Sequence, residues 1–196
     1  MYNIMKPKNI LRNLFIDIVQ NYSEYKNNGL NWYKKANRQI KESAIDLNVD
    51  IDLYAKIVAI LSPYNRWENN ISDAYKLLFC LKYERDQLQK LTFTTFKNNV
   101  EKAVDVYDGK VDFIMTDTNM KTYSFYRNLM LDSNYITIDR HMMKLLDFNK
   151  YFGKTLTSKR YNEYSILFHE IATEFEIEPY EIQAIFWEYA RNENIG

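Results

Sequence analysis

Glycine and proline are scarce in this 196-residue chain, at four and three residues. A sheet-rich fold needs turn punctuation every eight to twelve residues or so, and this sequence does not supply it. The single cysteine, Cys80, excludes an internal disulfide and any multi-cysteine zinc or iron–sulfur site. Its expected place is an apolar core in a reducing compartment. His141 and His169 are the only histidines, with no partner at ligand spacing, so no metal is expected. No apolar run approaches the roughly 20 residues that cross a bilayer. The Met1–Lys8 stretch carries charge but lacks the apolar segment of a signal peptide. Neither sign of charge is in excess, with 26 basic and 26 acidic side chains. That balance argues against a general polyanion binder and leaves room for a local basic face. No phosphate-binding loop, dinucleotide fingerprint or Gly-x-Ser-x-Gly elbow occurs. The expectation is a soluble cytoplasmic protein with no membrane partner and no cofactor.

What is present is apolar periodicity. Apolar residues make up 46% of the chain and charged residues 27%, values of an ordinary globular domain. Seventeen tyrosines, eleven phenylalanines and three tryptophans supply large side chains for a core. Ile10, Leu14 and Ile18 form a helical stripe that ends at Asn27-Asn28-Gly29. A second helix is predicted from Leu30 through Ala44, with Lys34, Lys35, Arg38 and Lys41 on its polar face. Leu53–Leu61, with Asp52 as cap, is apolar all round and predicts a buried central helix. Ser62-Pro63 ends it. Further helices are predicted over Trp67–Tyr83, Thr94–Tyr107, Met120–Leu131, Asp139–Phe148, Tyr161–Phe175 and from Pro179 onward. Tyr135–Ile138 is short and β-branched, and Lys110–Asn119 is the least regular stretch. The whole reads as a single all-α domain over 1–196, with about eight helices in two lobes around a central cleft.

Three segments invite joint reading: Leu61-Ser62-Pro63-Tyr64, Lys121-Thr122, and Ile138-Asp139-Arg140-His141. Their order, and the 18 positions between Lys121 and Asp139, resemble the helix–hairpin–helix DNA glycosylases, the superfamily of endonuclease III. In that family a buried helix ends in a Leu-Ser-Ala-Gln type turn. A catalytic lysine opens the helix after the hairpin, and an aspartate follows in a Val-Asp-Thr-His type segment. The resemblance is strongest over residues 50–150. It also extends to the α-glutamyl/putrescinyl thymine pyrophosphorylases, a distant viral branch. The stretch matching the hairpin, Thr116-Asp117-Thr118-Asn119-Met120, has no glycine, whereas the family hairpin is usually glycine-rich.

The resemblance implies a glycosylase acting on a flipped, modified or damaged base in duplex DNA, with abasic-site lyase activity. Lys121 would be the nucleophile and Asp139 the carboxylate beside the developing sugar cation. Tyr64, Asn65, Trp67, Tyr123, His141, Gln183 and Trp187 would hold the base or fill the gap it leaves. Lys34, Lys35, Arg38 and Arg140 would meet phosphates. Two alternatives stay open: a base-modifying transferase on the same scaffold, and a non-catalytic DNA-binding or virion protein. Each residue also has a plainer reading. Asp139 is placed to cap a helix, and Lys121 to be a solvated charge. His141 is placed to be a structural histidine, and Gln183 and Trp187 to belong to a core stripe. The basic residues of the second helix, and Lys154, Lys159 and Arg160, fit a solvated surface.

Overall fold

The computed structural model describes residues 5–145 and 156–193, and among them the chain is all-α with no strand. The helices are α1 (Met5–Asn21), α2 (Ser23–Leu47), α3 (Ile51–Leu61), α4 (Trp67–Tyr83), α5 (Lys97–Tyr107) and α6 (Met120–Leu129). They continue with α7 (Arg140–Leu145), α8 (Ser158–Glu174) and α9 (Pro179–Asn192). A 3₁₀ turn, Arg85–Lys90, follows α4. None of the described helices is long and apolar enough to cross a membrane. The predicted end of α7 at Phe148, and Lys154, lie outside the described residues.

The chain divides into two compact units, Met1–Lys35 with Leu131–Gly196, and Ala36–Met130. In the first, α9 packs on α7 and α8, and α8 packs on α1. Phe15 meets Phe175 and Phe186 at 4.6 and 6.0 Å between ring centroids, and Phe168 meets Phe186 edge-on at 5.6 Å. Such edge-to-face pairs add roughly 0.5–1.5 kcal/mol each beyond the area they bury. Glu181 is buried, accepts from the Glu178 N–H at 3.2 Å, and pairs with Lys34 at 2.6 Å, so one carboxylate ties α2 to the first turn of α9.

Some helix starts differ from the sequence expectation: α2 begins at Ser23 and not Leu30, and α5 at Lys97 and not Thr94. Asn27-Asn28-Gly29 does not stop a helix, because α2 runs through it. Gly29 is there for contact. A Cβ at that position would lie 2.5 Å from the backbone of Ile185, so only glycine lets α2 approach α9 so closely. The roughly 1 kcal/mol cost of glycine within a helix is offset by that packing.

In the second unit α3 is the hub, packing on α4, α5 and α6. Tyr54, Ala55 and all of Ile57–Leu61 are buried, as the all-round apolar pattern predicts. The cap is Asp50 and not Asp52: Asp50 Oδ1 accepts from the Leu53 N–H at 3.0 Å. Asp52 lies one turn along, pairs with Lys56 at 2.6 Å and accepts from the Tyr126 hydroxyl. Cys80 is buried, and burial pushes its thiol pKa up, which makes it inert. At the end of α2, the Lys82 ammonium and the Tyr83 hydroxyl both donate to the Leu47 carbonyl, at 2.9 and 3.1 Å. They satisfy an acceptor that the helix itself leaves open.

Candidate functional site

Tyr135–Ile138 is neither helix nor strand. A tyrosine does a strand's work instead. The buried Tyr161 hydroxyl donates to the Ile136 carbonyl at 2.6 Å and accepts from the Ile138 N–H at 3.1 Å. Ile136, Thr137 and Ile138 are buried, so each of these backbone groups needs a partner. Tyr33 donates to the Gln183 carbonyl oxygen at 2.8 Å and also engages Thr137. Tyr164 donates to the Met142 carbonyl at 2.7 Å. Three tyrosine hydroxyls thereby fix the chain on both sides of Asp139.

Asp139 itself is half-buried. Its Oδ1 accepts from the His141 and Met142 N–H groups at 2.9 and 3.0 Å, so it caps α7. His141 follows with its Nδ1 buried and without a hydrogen-bond partner. Burial pulls the imidazole below its ordinary pKa. Asp139 pulls the other way, and Arg140, Lys144 and Arg191 add to the depression. Burial likewise lowers His169, against an opposing hydrogen bond with the Asn134 backbone. Both rings are therefore disposed to be neutral at pH 7.

Lys121 belongs to the second unit, in the first turn of α6, and is exposed. The irregular stretch before it is folded by Asn119, whose side chain accepts from the Thr116 N–H at 2.8 Å and donates to the Ile114 carbonyl at 2.9 Å. Val111, Ile114 and Met115 of that stretch point outward, and Asp112 and Asp117 are exposed beside them. Tyr123 faces inward, against Phe113 and Tyr126.

The turn after α3 holds the most exposed large aromatic residue described. Pro63 and Tyr64 fill the centre of a turn closed by the Asn65 N–H to the Ser62 carbonyl at 3.0 Å. Tyr64 is left-handed, with φ 58°, and 85% exposed. A bulky residue in that region costs on the order of 1–2 kcal/mol, so its neighbours must hold it. They do so through Asp73, only 2% exposed. Its Oδ2 accepts from the Asn65 side chain at 3.2 Å, the Thr94 N–H at 2.8 Å and the Thr94 hydroxyl at 2.5 Å, and its Oδ1 meets Lys76 at 3.2 Å. Burial pushes this carboxyl up, but the bonds from Thr94, Lys76 and Asn65 prevail and hold it below the usual carboxylate range.

The remaining candidates are spent on packing. The Asn65 amide is used by Asp73 and Thr94. The Trp67 indole donates to Gln39 at 2.8 Å. Gln183 is buried against Tyr33, which leaves it no edge for a base. Trp187 meets Trp32 at 6.0 Å and lies under the Arg191 guanidinium at 5.0 Å. Lys34 is paired with Glu181, whereas Lys35, Arg38, Lys41 and Arg140 are exposed. Reading the sequence missed Tyr161, Asp73 and Phe96. Their only signals were a tyrosine on an inward stripe, an aspartate within an apolar helix face, and a phenylalanine in a run of threonines.

Among the described residues the chain is all-helical and divides into two compact units. The family of unknown function DUF7178 matches residues 5–194, and the chain belongs to that family. No curated protein and no solved structure matches it.

Proposed function

We propose that the protein is a DNA base-excision enzyme, an N-glycosylase with lyase activity, acting on a base that has left the stack. The observation that supports this best is the local setting of the three resembling segments. Ser62-Pro63-Tyr64 ends a buried hub helix, Lys121 stands in the first turn of the helix after an irregular connection, and Asp139 caps a helix after the buried residues Ile136, Thr137 and Ile138. In the reaction, the Lys121 nitrogen gives up a proton and bonds to the anomeric carbon as the glycosidic bond breaks. The base leaves with the bonding electrons and takes a proton. Asp139 belongs to the other unit, and the electrostatic role that the resemblance implies for it is tested separately.

The test is borohydride trapping on labelled oligonucleotides carrying an abasic site, uracil, damaged bases or hypermodified pyrimidines. A trapped adduct that disappears in Lys121→Ala is expected, with base release lost in Asp139→Asn. Base release that survives both substitutions sinks the assignment. A second reading, a non-catalytic DNA-binding or virion protein, is favoured by one feature: Val111, Ile114 and Met115 stand exposed just before Thr116–Met120, the glycine-free stretch that matches the hairpin.

A further inference from the structure

Phe96 caps the start of α5, is 58% exposed, and meets Tyr64 edge to face, with centroids 5.6 Å apart and planes at 76°. The two rings form an aromatic corner on the second unit. The corner is preset, because Asp73 binds both chain segments that carry it: Asn65 beside Tyr64, and Thr94 two residues before Phe96. Cations flank it in sequence. Arg66 is exposed, and Lys97 is 87% exposed in its side chain, with only a loose 3.7 Å pairing to the exposed Glu101. An exposed pair of that kind exchanges readily for another anion.

An occupant of such a corner needs a flat face for the rings and negative charge for the rim. We propose that the Tyr64–Phe96 corner is a stacking site for an unpaired nucleotide, so that the protein prefers single-stranded over fully paired DNA. The inference rests on the nucleic-acid reading above and adds strandedness to it. In a paired duplex a base presents its face only after unstacking, at a cost of a few kcal/mol. A single strand offers that face freely, and stacking on an aromatic side chain is worth ~1–3 kcal/mol per base.

The experiment measures binding, not catalysis. The probe is a short labelled oligonucleotide containing 2-aminopurine, used single-stranded and as the fully paired duplex, at low and moderate salt. Tighter binding of the single strand is expected, with a change in 2-aminopurine emission. Tyr64→Ala and Phe96→Ala should each weaken it roughly tenfold, while Tyr64→Trp retains it and Tyr64→Leu does not. Arg66→Ala should weaken binding and flatten its salt dependence. Both rings are exposed, so truncation leaves the fold intact, which circular dichroism checks. Equal affinity for strand and duplex overturns the inference, as does strand binding indifferent to Tyr64 and Phe96, and either result leaves the nucleic-acid reading standing. Absence of binding to both forms overturns the two together.

Discussion

The first unit pins its buried non-helical segment with tyrosine hydroxyls, and the second pins its exposed turn with a carboxylate. Tyr33, Tyr161 and Tyr164 hold residues 136–142 through neutral bonds. Asp73 holds the Tyr64 turn, and Asp108, paired with Arg85 at 2.6 Å, holds the end of α5. Neutral hydroxyls bury at little cost and do not titrate near neutrality. Burial pushes the hydroxyls of Tyr33 and Tyr164 well above their usual value near 10. Carboxylates hold more strongly but only while ionised. The two units are thus expected to answer differently to mutation and to acid.

The sharpest break is Tyr161→Phe. It removes one hydroxyl and strands two buried backbone groups, the Ile136 carbonyl and the Ile138 N–H. At ~1–3 kcal/mol for each unsatisfied group, the loss should be roughly 2–6 kcal/mol in chemical denaturation. A cost below about 1 kcal/mol would show that packing of Ile136 and Ile138 alone holds the segment.

Acid should separate the units in order. Trp32 and Trp187 report on the first unit and Trp67 on the second, so single-tryptophan variants read each by fluorescence. Both histidines lie in the first unit with folded pKa values below the ordinary 6.5. The unfolded chain then takes protons first, and stability is lost as pH falls from about 6.5 toward the folded values. The carboxylates of the second unit have the opposite placement. Asp73 sits below the usual range, and hydrogen bonds from Arg85 and then Lys110 hold Asp108 down at about 2. Their contribution is present above the unfolded value near 3.9 and is lost as pH falls through the folded values. The expected result is a first-unit midpoint that begins to drop as pH falls below about 6.5, and a second-unit midpoint that drops only below about 4. His141→Gln with His169→Gln should flatten the first step, and Asp108→Asn the second. Simultaneous loss of both signals would refute the contrast.

How much of this was legible depended on how far along the chain the cause lay. α3 follows from its own eleven residues, and the Asp139 cap follows from a neighbour two positions on. Gly29 could not be read, because its reason is Ile185, far along the chain. Gln183 reads as a base-contacting residue until Tyr33, 150 positions away, takes its carbonyl oxygen. Asn65 likewise reads as free until Thr94 and Asp73 close on it. Periodicity reports which face turns inward, not which polar group waits there. Tyr64 was legible as part of a motif, whereas its exposure, and Phe96 beside it, came from the loop before α5.

The smallest effect again contrasts the units, at two helix ends. α2 and α8 both end in a left-handed residue, Asn48 with φ 49° and Glu176 with φ 55°. Each end is closed by a backbone bond reaching back into the last turn: Val49 N–H to the Ala44 carbonyl at 2.9 Å, and Ile177 N–H to the Ala172 carbonyl at 3.1 Å. Glycine is the usual residue there, and α5 has one, Gly109, at φ 68°. Glutamate carries the full Cβ penalty of ~1–2 kcal/mol, while asparagine visits this region routinely. Glycine in turn gives the unfolded chain more freedom, costing ~0.5–1 kcal/mol. Glu176 is exposed, so no packing is lost on its removal. Glu176→Gly should therefore stabilise the first unit by a few tenths to about 1 kcal/mol. Asn48→Gly should leave the second unchanged or slightly weaker, because asparagine already meets the backbone's demand. Thermal denaturation followed at Trp187 and at Trp67 compares the two directly. Equal gains at both ends would mean that the Cβ penalty is the same for asparagine and glutamate, and that the scarcity of glycine costs the two units alike.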